Sequence, residues 1–494
     1  MKLFKKLASF ILAFAMVMAI AMPSVVMADN GSIADNGSIT IKGAKDSHTF
    51  EAYQIFTGRL SGNTLTNIEW GSGVSGPGKT ALGSANEKAS SLTASNAEEF
   101  AYTVSAYLTN PAGSANSKDS SGNYVITGLE PGYYLVKDKN NSINGQDSYT
   151  KFILKVVGDA IATVKNEVPE SFKKVRDKND TEGTTTNWQD SADWDIGDKV
   201  PFQLTGTVAS DYKDYKADYQ LVFHDTLSAG LTFDASSIKV YKNEETTPID
   251  PSQYTKTYPA TDGHTFDVTI KNVKDLDGTV TKIRVEYEAT LNENAVIGSK
   301  GNPNTMHMQF SNNPNSSQGG EKGETPEDKV IVFTYKAIVN KKDSSNKPLT
   351  GAEFTLYKKY GKEWKKVEKV VVKSEDGTTF TFTGLDDGEY KLEETVTPHE
   401  YNTMDPIEFK IEATHGELKD NLELKTLSGN KLTGEVLFTP NTTEGTLETD
   451  VINYKGSELP STGGMGTTIL YAAGAIMILA AGAFLVMQKK AEDK

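Results

Sequence analysis

A chain of 494 residues with no cysteine has to hold its domains together by packing, hydrogen bonds and whatever covalent chemistry its other side chains permit, since no disulfide can form. The constraint matters because the N-terminus reads as an export signal. Lys2, Lys5 and Lys6 precede an apolar run from Leu7 to Met22, and Val26-Met27-Ala28 supplies a cleavage context for signal peptidase. Residues 1–28 are therefore expected to be lost on export to an oxidising exterior. The missing thiols also exclude thiolate catalysis and cysteine-ligated metals. Several domains with separate cores are expected at this length. The 51 basic and 66 acidic side chains give a formal charge of −15, and so acidic a surface argues against nucleic acid as a partner.

Beyond a slack, nearly repeated leader (Ala28 to Ile33, then Ala34 to Ile39), the chain is dominated by strand periodicity. In residues 29–168, Ile39, Ile41, Phe50, Tyr53 and Ile55 suggest strands. Phe100, Val104, Tyr107 and Leu108 have helical spacing, with Ser95 and Glu98 placed as a capping box. The expectation is one helix inserted among strands. A second domain, 169–328, starts with Lys173, Val175 and Asp177 on one strand face and continues through Tyr219 to Phe223 and Ile283 to Tyr287. Its polar, Gly-rich end from Asn315 to Asp328 reads as a linker. A third domain, 329–455, begins with Ala337, Val339, Lys341 and Asp343 sharing a face and ends at Val451-Ile452-Asn453. The fold class is mainly β: three tandem immunoglobulin-like sandwiches.

The C-terminal segment, 456–494, carries Leu459-Pro460-Ser461-Thr462-Gly463, an apolar run from Thr468 to Met487, and then Lys489, Lys490 and Lys494. About twenty apolar residues suffice to cross a bilayer, and the lysines beyond them favour the cytoplasmic side. A plain membrane anchor on a Pro/Gly stalk would share these features. The composite resembles the cell-wall sorting signal of Gram-positive surface proteins, which implies cleavage by a sortase between Thr462 and Gly463 and attachment to peptidoglycan.

Two further patterns extend the resemblance. Lys341 ahead of Asp343, Leu349-Thr350-Gly351-Ala352-Glu353-Phe354, Tyr390-Lys391-Leu392-Glu393-Glu394-Thr395 and Asn453 closely resemble the Cna B-type module. The second domain, with Lys173, Asp225 and a late Asn, resembles the Cna A-like middle domain of backbone pilins. Strand parity favours Lys173 over Lys174, and Asn312 over Asn313, because Met306, Met308, Phe310 and Asn312 share a face. The whole chain is similar to a backbone, or major, pilin.

That resemblance implies Lys-Asn isopeptide bonds, Lys173–Asn312 promoted by Asp225 and Lys341–Asn453 promoted by Glu394. The physical requirement is burial, which favours a neutral amine and a protonated acid. Each bond would close a loop worth about 5 kcal/mol on the entropy model used for disulfides. Tension would then pass through the bridge and bypass the intervening strands. In residues 29–168, Lys137 stands where the pattern would place a Glu, so no isopeptide bond is expected there. The resemblance also implies polymerisation, with Thr462 passed by a pilin-specific sortase to a lysine of the next copy. Ile161-Ala162-Thr163-Val164-Lys165-Asn166 points to Lys165 as acceptor, with Lys155, Lys173 and Lys174 as rivals. Further implied partners are a housekeeping sortase and ancillary pilins.

The precursor would be held briefly in the membrane and the product displayed on the wall. The alternative is a monomeric wall-anchored adhesin of the same modules. An enzyme has no support: the six His show no paired metal spacing, no G-x-S-x-G occurs, and neither cofactor nor metal is expected. A pilus-tip adhesin would be expected to carry a D-x-S-x-S metal-site sequence, which does not occur.

Overall fold

The computed structural model describes residues 37–61, 64–143, 145–156, 159–164, 167–368, 371–416, 418–419, 421–457 and 465–492. The expected signal peptide, Lys165, and the sorting residues Leu459, Pro460, Ser461, Thr462 and Gly463 lie outside the described residues. The chain divides into two compact units. One takes the chain up to Lys178, Thr184–Thr334 and Thr414–Lys425; the other takes Asn179–Gly183, Tyr335–Ala413 and the chain from Thr426.

The first unit contains two bodies of sheet. In the N-terminal body, strand Gly37–Lys42 lies between Tyr124–Leu129 and Asp159–Thr163, and faces a five-stranded sheet centred on Phe50–Ser61 and Gly132–Asp138. That sheet is buried on both faces, because alternate residues of its strands feed different cores. Phe50, Ala52, Tyr134 and Val136 pack with Ile39 and Ile41. Tyr53, Ile55 and Leu135 pack with Leu82, Phe100, Ala101 and Val104 under a helical layer. The single helix expected there is three: Gly76–Leu82, Ala85–Ser91 and Ala97–Ser105. The expected Ser95 cap is displaced by Asn96, whose side chain accepts from Thr93 N at 2.7 Å. The two short helices are missed because seven residues are too few for a helical period to stand out.

The middle body is a sandwich of a seven-stranded and a four-stranded sheet. Strand Ser171–Val175 is the edge of the smaller sheet, Lys173 opposite Leu204 on Lys199–Thr207, which in turn pairs Phe202 with Tyr287 on Lys282–Leu291. In the larger sheet Leu221–Leu227 pairs with Asn302–Ser311, Asp225 opposite Met306 and Leu227 opposite Asn304. Phe202, Phe223, Tyr287, Met306, Met308 and Phe310 fill the space between.

The segment expected as a linker is part of this body. Lys322–Glu324 adds a strand to Gln309–Ser311, and buried Thr325 accepts from Met308 N at 2.9 Å. Strand Asp328–Phe333, expected to open the third domain, belongs to the first unit and places Val330 and Val332 in its core. Polar composition misled here because Thr325 and Asp328 are buried as hydrogen-bond acceptors for backbone N–H groups.

The second unit has two five-stranded sheets, one centred on Tyr335–Asp343 and the other on Gly388–Val396. Tyr335–Asp343 runs parallel to the last strand, Thr446–Asn453, with Lys341 opposite Val451 and Asp343 opposite Asn453. Lys358, buried, holds Asp180 at 3.2 Å and Asp386 at 3.0 Å. Helix Met465–Glu492 contains the span Leu470–Lys489, of mean hydropathy 2.2. Its apolar residues face outward all round, as a membrane-crossing helix requires.

Candidate crosslinking sites

In the second unit the three residues singled out from sequence meet inside the core. Lys341 projects inward after Ala337 and Val339, and Lys341, Glu394 and Asn453 are all buried. Lys341 Nζ donates to Asn453 Oδ1 at 2.7 Å and to Val451 O at 3.2 Å. Asn453 Nδ2 donates to Glu394 Oε1 at 2.8 Å and Oε2 at 2.9 Å, and Glu394 Oε2 also accepts from Met404 N at 3.0 Å. Burial pushes the Lys341 ammonium down to about 8, against the opposing charge of Glu394. The amine therefore lies against a carboxamide whose own nitrogen is held by an acid.

The middle body builds a different cluster. Lys173 and Asp225 are fully buried and ion-paired, Lys173 from one sheet and Asp225 from the other. Lys173 Nζ also donates to Tyr287 Oη at 3.0 Å, and Tyr287 Oη donates to Asp225 Oδ2 at 3.1 Å. Phe202 and Tyr287 present ring centroids 5.5 Å from Nζ. Burial drives Lys173 below the usual lysine range against the pull of Asp225, and drives Asp225 above the usual carboxylate range against the pull of Lys173. Both shifts favour the neutral pair. The Lys173 backbone N–H is fixed on Asp328 Oδ2 at 2.8 Å.

The asparagine here is Asn304, where sequence parity had favoured Asn312. Asn304 Nδ2 donates to Tyr287 Oη at 2.7 Å, and its Oδ1 is buried without a hydrogen-bond partner. Asn312 shares its face but lies six residues beyond Met306, roughly 20 Å along a strand. Its Nδ2 donates to Asp147 O at 3.4 Å and its carbonyl accepts from Tyr149 N at 2.8 Å, so it ties the N-terminal body to the middle one. Tyr287 and Asp328 were also missed, although the alternation from Ile283 to Tyr287 already turned Tyr287 inward.

Among the rival polymerisation lysines, Lys173 is sealed in the core, Lys174 Nζ sits on Asp190 at 2.5 Å, and Lys155 is half-buried on strand Ile153–Val156. In the N-terminal body no lysine or asparagine is buried among the described residues. The buried polar groups include His48 between Asp138 (2.8 Å) and Asp147 (3.5 Å). Burial opposes the His48 charge, but the two carboxylates outweigh it and raise His48 to about 9. Lys137 Nζ instead bonds Asn140 Oδ1 at 2.6 Å at the exposed edge.

Comparison with known proteins gives three matches along the chain. Residues 196–314 match the family described as Gram-positive pilin backbone subunit 2, Cna-B-like domain. Residues 336–426 match a prealbumin-like fold domain, and residues 452–494 match the LPXTG cell wall anchor motif. The trypsin-resistant surface T6 protein of Streptococcus pyogenes serotype M6 is 25% identical over 449 residues, covering 77% of this chain and 76% of that protein. The solved T6 backbone pilin of that organism, described as a modular three-domain structure, superposes with a TM-score of 0.57 at 19% identity, covering 86% of this chain and 100% of that one. The full-length major pilin SpaD of Corynebacterium diphtheriae gives 0.51 at 19% identity, with 86% and 99% covered.

Proposed function

The chain belongs to the Gram-positive backbone pilins, and on that premise we propose that it is the repeating subunit of a covalent cell-surface fibre. Thr462 is its donor, Lys165 of the next copy its acceptor, and Lys341–Asn453 and Lys173–Asn304 its internal isopeptide bonds. The chain is a cell-wall-anchored surface protein with a C-terminal segment suited to hold the precursor in the membrane. A pilin-specific sortase takes the Thr462 carbonyl as a thioester and transfers it to the Lys165 amine. A housekeeping sortase joins the last subunit to peptidoglycan.

The observation that carries the interior chemistry is the contact of Lys341 Nζ with the Asn453 carboxamide at 2.7 Å, with Glu394 on the nitrogen that must leave. The neutral amine attacks Cγ of Asn453. Its proton passes through Glu394 to Nδ2, the C–N bond breaks, and ammonia departs as the Lys–Asn amide forms. In the middle body Asp225 takes the proton from Lys173, and Tyr287 links that pair to Asn304. Each reaction runs once per chain, so the protein consumes its own side chains and turns over no substrate.

Intact-mass measurement of the full-length chain tests this reading. A deficit of about 17 Da per bond, the mass of the expelled ammonia, is expected twice. Lys341→Ala and Asn304→Ala should each restore one. A chain at its unmodified mass would overturn the internal bonds. Co-expression with a pilin sortase should give SDS-resistant multimers that Lys165→Ala abolishes. Monomer alone would favour the wall-anchored adhesin.

A further inference from the structure

Three of the chain's six histidines converge on one patch of the middle body, on the opposite face of the sheet from the Asp225 side chain. His224 lies on Leu221–Leu227, His307 is its direct cross-strand partner on Asn302–Ser311, and His264 lies just before strand Phe266–Ile270. Their ring centroids are 4.8 Å apart for His224 with either neighbour and 5.0 Å for His264 with His307. Phe223, Asp225, Met306 and Met308 point into the core, so alternation turns His224 and His307 to the outer face. Two carboxylates join them: His224 Nδ1 is 3.3 Å from Asp262 Oδ2 and 2.8 Å from Asp267 Oδ1. We propose that His224, His264 and Asp262 bind one divalent transition-metal ion of the zinc class on the outer face of the seven-stranded sheet.

One ligand atom from each of these three residues lies within 4.8 Å of the others. Bonds of about 2.0–2.2 Å in a tetrahedral site put ligand atoms roughly 3.3–3.6 Å apart, so the set needs only a small closure. The loop bearing Asp262 and His264 is the part free to make it, since the Asp262 side chain is 42% exposed. The same loop is anchored at its far end, where Thr265 N donates to Asp225 O at 2.7 Å and Thr265 Oγ1 accepts from Leu227 N at 2.9 Å.

The donor set selects the ion. Two imidazoles and one carboxylate suit zinc, nickel or copper, whereas calcium and magnesium take oxygen ligands. Supporting contacts of the kind that orient metal-binding imidazoles are already made: Asp267 on His224, and Thr226 Oγ1 3.1 Å from His264 Nδ1. His307, stacked on His224, offers a further nitrogen from the rim. Two other histidines have two carboxylate neighbours, and both differ: His48 is enclosed between Asp138 and Asp147, and His415 is already committed elsewhere. The His415 side chain, 8% exposed, uses both ring nitrogens, one on Ser191 Oγ at 2.6 Å and the other near Asp177 at 3.4 Å and Asp193 at 3.6 Å.

Sequence spacing could not reveal this site, because residues 224, 264 and 307 become neighbours only through strand register. The test is calorimetric titration of the untagged full-length chain in detergent with Zn2+, and with Co2+ read by visible absorption. Expected is one saturable equivalent, weakened about tenfold or more by His264→Ala and by Asp262→Asn, and unaffected by His415→Gln or by excess Ca2+. The two variants lie on an exposed loop and a part-exposed ring, and each should keep the metal-free melting curve of the parent. Absence of saturable Zn2+ binding, binding that survives both variants, or binding lost in His415→Gln would overturn the proposal.

Discussion

The two candidate crosslinks use the same three kinds of residue in opposite order of contact. In the second unit the lysine touches the amide and the acid waits on the leaving nitrogen. In the middle body the lysine touches the acid, and the amide is one tyrosine hydroxyl away. Proximity dominates the first, where Lys341 keeps a value of about 8 and needs little movement to attack. Desolvation dominates the second, where both members of the pair are fully buried and Lys173 must shift past Tyr287 to reach Asn304. The lesson is that a reactive pair can be made either by aligning the atoms or by making charge untenable.

The largest expected effect breaks the second of these arrangements. Asp225→Ala should restore about 17 Da and also leave the fully buried Lys173 amine and Tyr287 hydroxyl without their acceptor, costing about 1–3 kcal/mol for each group beyond the loss of the bond, so limited proteolysis should cut the middle body first. Glu394→Ala should restore the same mass but leave Lys341 on Asn453. Its cost should be the loop term of about 5 kcal/mol together with the hydrogen bonds that Asn453 Nδ2 and Met404 N give to Glu394, read from the denaturant midpoint.

A smaller effect sharpens the contrast with the N-terminal body, whose described residues offer no such triplet and whose buried brace is ionic. His48 is raised in the fold from an unfolded value of 6.5 to about 9. Its contribution, about 3 kcal/mol at most, is therefore full below pH 6.5 and is lost as pH rises through 9. Melting of this body should fall across that window, while His48→Gln should flatten the dependence. Smallest is Asn312→Ala, which should leave the deficit from expelled ammonia unchanged and cost about 1 kcal/mol, whereas Asn304→Ala should abolish one bond.

How legible these features were in sequence follows from what strand periodicity can report. Alternation fixes a face, and Lys173, Asp225 and Lys341, which it turns inward, are buried; Glu394 and Asn453, which only the resemblance singled out, are buried as well. It does not fix the position along a strand, and Asn304 and Asn312 have the same parity. Only the pairing of Asp225 with Met306 separates them, and register depends on contacts distant in sequence. Asn453 escaped this ambiguity because its neighbours of like parity, Thr449 and Val451, are not amides. The histidine patch was hidden for the same reason of register. The linker from Asn315 to Asp328 was misjudged because burial of Thr325 and Asp328 is set by backbone donors on other strands, which composition does not record.

The parallel pairing of Tyr335–Asp343 with Thr446–Asn453 has a mechanical meaning independent of any crosslink. The strands run in register from Lys336 opposite Thr446 to Asp343 opposite Asn453. A pull entering at Tyr335 and leaving at Asn453 grips this ladder at opposite ends. The load lies along the strands, in shear, and the inter-strand hydrogen bonds share it at once. An antiparallel pair gripped at one end would peel a bond at a time. The topology thus gives this sheet resistance to stretching even where no covalent bond joins its first strand to its last.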